Sequence, residues 1–243
     1  MTSVESPTPV VEPCPLPSGA RAVRAVGERY RVAARPVSTG RRTVSILQVE
    51  NIEALVDRAT LLRGDDPREP PYWAYLWTGA VELARWIDTE HALAGRRALD
   101  LGCGLGLVGV VAALNGAEVT FLDREAEALK FAAANAHRND VRSVVFRQGD
   151  FTRDRIGGRF DVILGAEVLY DRDSFAPLVR FLDHHMAPGG TVLLADARRM
   201  GTAAFYADLE ASGYGIDRVT VRTREEGLPL RVDLVAARRT SCA

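Results

Sequence analysis

A glycine at every second position, in Gly102-Cys103-Gly104-Leu105-Gly106, constrains this chain more than any other stretch. A short apolar run, Ala98 to Leu101, leads into it, and apolar residues at helical spacing, Leu107, Val108, Val111 and Ala112, leave it. The order is strand, tight turn, helix. Lacking Cβ atoms, Gly102, Gly104 and Gly106 let the backbone take unusual φ/ψ values and approach a flat ligand, while the helix behind presents free N–H groups. A nucleotide-like ligand suits such a turn. Gly104-x-Gly106-x-x-Gly109 also satisfies the dinucleotide fingerprint, so the glycines alone leave a nicotinamide dinucleotide and S-adenosylmethionine both open.

The units that follow have the length of β/α repeats. Val119 to Asp123 reads as the second strand, with Asp123 at its carboxyl end, where a nucleotide fold places an acid for the ribose hydroxyls. Ala126 to Arg138 is an amphipathic helix with Leu129, Ala133 and Ala136 inward. Val141 to Arg147 is a third strand, and at its end Asp150 and Phe151 suit an adenine by hydrogen bond and stacking. The fourth, Phe160 to Ala166, is nearly continuous apolar sequence, as in the buried centre of a parallel sheet. It delivers Glu167 and Tyr170 to the same edge as the glycine turn, facing whatever meets the ligand. Ser174 to Met186 reads as a helix ending in a solvated His184-His185 pair. Pro188-Gly189-Gly190 is a sharp turn into a fifth strand, and Gly201 to Ser212 is a further helix. The last two β runs, Tyr214 to Arg222 and Leu230 to Ala236, are joined by a segment too short for a crossover helix and pair as an antiparallel hairpin.

Ahead of these units the chain divides into residues 1–18, a proline-rich tail expected to be disordered, and 19–70, an extension. The extension holds a hairpin (Tyr30 to Ala33 and Thr43 to Val49, turning at Gly40) and a helix from Asn51 to Leu62. Residues 71–243 form the main domain. Its first stretch, Pro71 to Gly79, is dense in aromatics: Trp73 is expected in the core, and Trp77 stands at a helix entrance.

Composition removes several classes of function. The 243 residues are 47% hydrophobic and 26% charged with net charge −1, enough for a full core and no electrostatic case for bulk nucleic-acid or membrane binding. No apolar run approaches the roughly 20 residues that span a bilayer, and no leader-like segment opens the chain, so a cytoplasmic location is expected. Cys14, Cys103 and Cys242 lack metal-ligand spacing and read as reduced thiols, with no metal implied.

The expected architecture is a Rossmann-like, doubly wound α/β fold. Its seven-stranded sheet is mostly parallel, with a C-terminal antiparallel hairpin and a small N-terminal hairpin and helix extension. A dinucleotide dehydrogenase would add a sixth parallel strand and, in a common form, a Tyr-x-x-x-Lys pair, which Lys130 cannot supply because position 126 is Ala. Leu99 to Gly106, Asp123, Gly149-Asp150-Phe151, Ala166 to Tyr170 and Pro188-Gly189-Gly190 together resemble a class I S-adenosylmethionine-dependent methyltransferase. The Pro71 to Gly79 stretch and Glu167-x-x-Tyr170 resemble the seven-strand protein-lysine methyltransferases, particularly the branch with the electron-transfer flavoprotein β-subunit lysine methyltransferase, over about Pro70 to Ala237. The four-residue motif after strand four usually begins with Asp in that family; here it begins with Glu167.

The resemblance implies that Trp77, Gly102, Gly104, Asp123, Phe151 and Ala166 line the cofactor pocket. Asp100, Cys103, Gly106, Arg124 and Asp150 complete the candidate cofactor set, and Glu167 and Tyr170 are the candidate catalytic pair. The cofactor this resemblance implies is S-adenosyl-L-methionine, with S-adenosyl-L-homocysteine as product. Three functions stay open: methylation of a lysine on a partner protein, methylation of a small amine, amino acid or guanidino compound, and a non-catalytic cofactor-binding scaffold.

Overall fold

A computed structural model describes residues 10–16, 19–55, 70–198 and 201–240. Seven strands form the central sheet: β4 (Arg97–Leu101), β5 (Glu118–Asp123), β6 (Val144–Gln148), β8 (Phe160–Ala166), β9 (Met186–Asp196), β10 (Tyr214–Glu225) and β11 (Leu228–Arg239). Their order is β10-β11-β9-β8-β4-β5-β6, and only β11 runs against the rest. The chain leaves β4 toward β5 on one side and later returns to β8 on the other. The order therefore reverses at β4, and the crevice outside its carboxyl end is where an open α/β sheet binds ligands.

Two apolar clusters cover the two faces of the sheet. One gathers α2 (Thr78–Glu90), α3 (Leu107–Leu114) and α4 (Ala126–Arg138), with α1 (Ala20–Arg29) and the β2–β3 hairpin (Val32–Ser38 and Thr43–Val49) outside them. The other holds α5 (Phe175–His185) and α6 (Ala203–Ala211). In α4, Leu129, Ala133 and Ala136 are all buried, as their spacing requires.

Several expectations need correction. Residues 10–16 are not a loose tail: β1 (Val10–Val11) pairs in parallel with β7 (Arg155–Ile156), the Cys14 amide donates to Phe146 O at 2.8 Å, and Arg147 donates to Val11 O. Two consecutive valines supply a short β run that an average over a proline-rich window hides; residues 1–9 and 17–18 lie outside the described residues. The helix α1 had no sequence-based expectation. Its apolar face is narrow, with Ala22 and Val26 buried one turn apart. Of the helix expected over 51–62, a single 3₁₀ turn (Ile52–Leu55) is described and the rest lies outside. His185 is buried against Phe181 instead of solvated, and burial pushes its pKa down to about 4. Pro188-Gly189-Gly190 is a bulge within β9: Phe160 pairs with Met186 but Val162 with Thr191.

The β2–β3 hairpin is fastened by two asparagines four residues apart, Asn135 on α4 and Asn139 capping its end. Asn139 takes the Ser45 amide at 2.8 Å and donates to Ser45 O at 3.0 Å; Asn135 takes the Leu47 amide at 2.6 Å and donates to Leu47 O at 3.0 Å. Their side-chain amides act as a surrogate strand edge for alternate residues of β3. Asn135, fully buried, also donates to Leu105 O at 2.9 Å, so hairpin, helix and glycine turn meet on one side chain. Truncation leaves buried backbone groups without partners, at about 1–3 kcal/mol each. Asn135→Ala is expected to lower stability by about 2–4 kcal/mol in urea denaturation and to speed amide exchange at Leu47; unchanged exchange there would refute the fastening.

Candidate active site at the carboxyl edge of the sheet

Four strand ends build the site. After β4 the turn takes left-handed φ at Gly102 (61°), Gly104 (50°) and Gly106 (79°). A Cβ on Gly104 would stand 3.3 Å from Trp73 O, and one on Gly102 would stand 3.2 Å from a Val168 methyl. Side chains at these positions would therefore meet both strain and crowding. At the end of β5, Asp123 braces the turn: Oδ2 accepts the Gly104 amide at 2.9 Å and Oδ1 accepts the Glu125 amide at 2.9 Å. Each carboxylate oxygen keeps a further lone pair for a ligand hydroxyl. Burial raises its pKa to about 6, with the two backbone donors pulling the other way.

Asp100, in β4 itself, accepts the Gly109 amide at 2.8 Å and is nearly inaccessible. A Cβ on Gly109 would lie 2.8 Å from Asp100 Oδ2, so glycine at 109 makes room for that carboxyl group. Burial, with the neighbouring charge of Asp123 adding to it, lifts the Asp100 pKa to about 8. Cys103 is buried too, and burial pushes its thiol pKa up, away from a reactive thiolate.

After β6, Asp150 is set by the Thr152 amide and hydroxyl at 2.9 and 2.7 Å, and Phe151 leans edge-on toward Phe181. At the end of β8, Glu167 adopts φ 57°, a conformation that costs a non-glycine residue about 1–3 kcal/mol. Its amide donates to Ala195 O at 2.9 Å and its Oε2 accepts the Ala197 amide at 3.4 Å, so the end of β9 steadies both backbone and carboxylate. The carboxylate lies against the first turn of α2, where the helix dipole favours negative charge. Glycine at position 79 permits this: a Cβ there would stand 2.8 Å from Glu167 Cδ.

Over these strand ends lies an aromatic wall. Trp77, at the start of α2, donates its indole N–H to Tyr72 O at 2.9 Å, and Tyr72 stands 6.1 Å from Trp77 and 5.9 Å from Tyr170, centre to centre. Trp73 packs on Tyr30 and Phe131, as the core expectation had it, while its other edge borders the cavity.

The cleft between this wall and the strand ends has a volume of about 830 Å³, within the range of small-molecule sites. Its lining includes Trp77, Asp100, Gly102, Cys103, Gly104, Asp123, Arg124, Asp150, Phe151, Ala166, Glu167 and Tyr170. Gly106 is the exception. A Cβ there would lie 2.8 Å from the Ala132 Cβ, so this glycine lets α3 pack on α4 and does not face the cavity. Sequence reasoning passed over Gly79, Asp196 and Tyr72, all close to Glu167 or Tyr170 in space; only Tyr72 carried a signal, as part of the aromatic run.

A family model described as lysine methyltransferase matches residues 71–211, more than half of the chain. The chain belongs to the lysine methyltransferase family. Among this family's curated relatives, protein N-lysine methyltransferase METTL21A of Danio rerio is 38% identical over 133 residues, covering 51% of this chain and 60% of that protein. EEF1A lysine methyltransferase 3 of Mus musculus is 31% identical over 144 residues, covering 56% and 61%. The chain thus spans about three fifths of the length of these relatives. In fold, it is similar to the ribosomal protein L11 methylase of Lactobacillus delbrueckii subsp. bulgaricus (TM-score 0.60, 16% identity, covering 85% of this chain and 100% of that one). The matched region of this lysine methyltransferase family member begins at the aromatic wall and contains every strand end that lines the cavity.

The buried carboxyl of Asp100 has a measurable consequence. Its folded-state pKa of about 8 lies above the usual 3.8, so the unfolded chain gives up this proton first as pH rises. Asp100 therefore withdraws stability progressively between pH 4 and 8. Relative to Asp100→Asn, which keeps an acceptor for Gly109, the parent protein is expected to lose urea-midpoint stability as pH rises across that window. Parallel pH profiles for the two proteins would show that Asp100 is ionised.

Proposed function

We propose that this protein transfers a methyl group from S-adenosylmethionine to a lysine side-chain amine of a partner protein, in the cytoplasm, with residues 71–243 as the catalytic unit and 19–70 as its extension. When bound, the cofactor supplies a methyl group activated on a sulfonium. The residues present suit it: a turn whose left-handed glycines leave little room for a Cβ, a carboxylate at the end of the second strand, and an acid and an aromatic at the end of the third. Gly102 and Gly104 let the backbone lie against the nucleoside, Asp123 accepts from the ribose hydroxyls, and Asp150 and Phe151 border the adenine.

The strained, braced Glu167 carries the proposal. An ammonium with pKa near 10.4 must lose its proton before its lone pair can attack. Glu167 accepts a hydrogen bond from the neutral amine, aligns it, and would stabilise the positive charge that the nitrogen gains as the methyl carbon leaves the sulfonium, whose sulfur departs as a neutral thioether. Tyr170, Tyr72 and Trp77 shape the entrance and exclude water. Protein lysine is favoured over a small amine by the family model and by the relatives, which are named as protein lysine methyltransferases.

Glu167→Gln should lower kcat by about 100-fold or more while the cofactor Kd, by calorimetry, stays within about threefold. Gly79→Ala, whose added methyl would overlap the Glu167 carboxylate, should reproduce that split in milder form. Joint loss of binding and turnover in Glu167→Gln would reassign Glu167 to holding the cofactor. A labelled methyl group entering only low-molecular-weight material in a lysate would replace protein lysine by a small amine.

A further inference from the structure

The terminal hairpin reaches well past the sheet. β9 stops at Asp196, which pairs with Asp233 of β11, yet β11 and β10 continue their own pairing from Val232 opposite Val221 out to Leu228 opposite Glu225. At about 3.4 Å per residue the overhang is about 17 Å long. It extends from the carboxyl edge of the sheet, the edge that bears the cavity. Its tip is braced to the aromatic wall and to α2: Tyr75 Oη donates to Glu226 Oε1 at 3.2 Å and Thr78 Oγ1 donates to Glu225 Oε1 at 2.9 Å.

The two faces of this arm differ in charge. Alternation puts Val221, Leu230 and Val232 on the α2 side, packed in its apolar cluster. The opposite face carries Arg218, Arg222 and Arg224 from β10 and Arg231 from β11, with Arg198 beside them. Asp233, the acid on that face, is taken up by Arg198 through two bonds of 2.7 and 2.8 Å, by Thr220, and by Arg218 at 3.5 Å. Arg224 donates to Gly227 O. Arg222 and Arg231 sit directly opposite each other across the ladder, both exposed, and have no acidic neighbour within ion-pair distance among the described residues. Like charges facing across a strand pair are destabilising. The chain as a whole is slightly acidic, so these cations are a local segregation.

We infer that this face of the arm docks an acidic segment of the protein whose lysine enters the cavity. The inference rests on the lysine-methylation reading and names what that site selects beyond the lysine itself. Carboxylates on the partner pair with Arg222 and Arg231, relieving their mutual repulsion, while the braced tip holds the arm beside the entrance. Interaction of this exposed kind steers and selects a partner and weakens with salt.

The test uses the full chain and three peptides, each with one lysine flanked by a run of glutamates, glutamines or arginines, plus a fluorescent glutamate-rich peptide without lysine. The glutamate peptide should show a KM about tenfold below the glutamine peptide, and the arginine peptide the highest KM. That gap should close in Arg222→Gln/Arg231→Gln and at high salt, with the cofactor Kd and melting temperature reporting an intact fold. A single Arg222→Glu, which makes an opposite-charge pair with Arg231, should keep or raise the melting temperature and also close the gap.

Equal KM values for the glutamate and glutamine peptides, or a gap that survives the double substitution, would overturn the inference. So would displacement of the fluorescent peptide by single-stranded poly(U) at lower concentration than by its unlabelled form, which would assign the arm to nucleic acid. Aggregation of the double variant with KM unmoved would make the arginines mere guards of an edge strand. Arginine-dependent binding of the lysine-free peptide, with no methyl transfer to any peptide, would uphold the docking face while removing the lysine-methylation reading.

Discussion

The hydrogen bond from the Gly104 amide to Asp123 joins the ends of two adjacent strands, and the rest of the site is arranged around it. Parallel pairing alone aligns β4 and β5 but leaves the turns beyond them undetermined. A buried carboxylate that accepts from one turn and from the Glu125 amide of the next converts two loops into one rigid cradle. The burial that makes this acceptor effective also raises its pKa, and the same low-dielectric surroundings act more strongly on Asp100 beneath it. On the proposed reading, stability is given up locally at the place that would receive a ligand with polar hydroxyls and a flat base.

Support for that cradle comes from outside the domain core. Asn135 carries the backbone of β3 on one side and Leu105 of the glycine turn on the other, which makes the N-terminal hairpin part of the scaffold. The segment at residues 10–16 does similar work beside the loop bearing Asp150 and Phe151: Val11 pairs with Ile156 of β7, and a Cβ on Gly149 would crowd its side chain at 3.2 Å. On the far side, the end of β9 fixes Glu167, and the overhanging hairpin is tied to the aromatic wall. Every wall of the cavity is thus braced by an element distant from it in sequence.

That distribution explains what was legible in the sequence. The glycine turn, Asp123, Asp150-Phe151 and Glu167-x-x-Tyr170 each lie at or just beyond the end of a strand, so local pattern places them at one edge once the sheet is parallel. The antiparallel closing hairpin followed from the short link between its strands. Contacts that depend on long-range approach left no local mark. Gly79 matters because Glu167 lies against it, and Asn135 because a hairpin nearly ninety residues earlier needs partners for its backbone. The roles of glycines were the least readable: the alternation treats Gly102, Gly104 and Gly106 alike, yet the third faces Ala132 and serves helix packing. Valines 10 and 11 were hidden by the prolines around them, and His185 by its exposed neighbour His184.

A crystal structure with S-adenosylhomocysteine bound would show whether the cradle holds a nucleoside. The expected result is ribose hydroxyls on Asp123 with the Gly104 bond retained, the adenine beside Asp150 and Phe151, and the sulfur directed toward Glu167. A nucleoside bound elsewhere, or one that leaves Asp123 without a ligand contact, would contradict it.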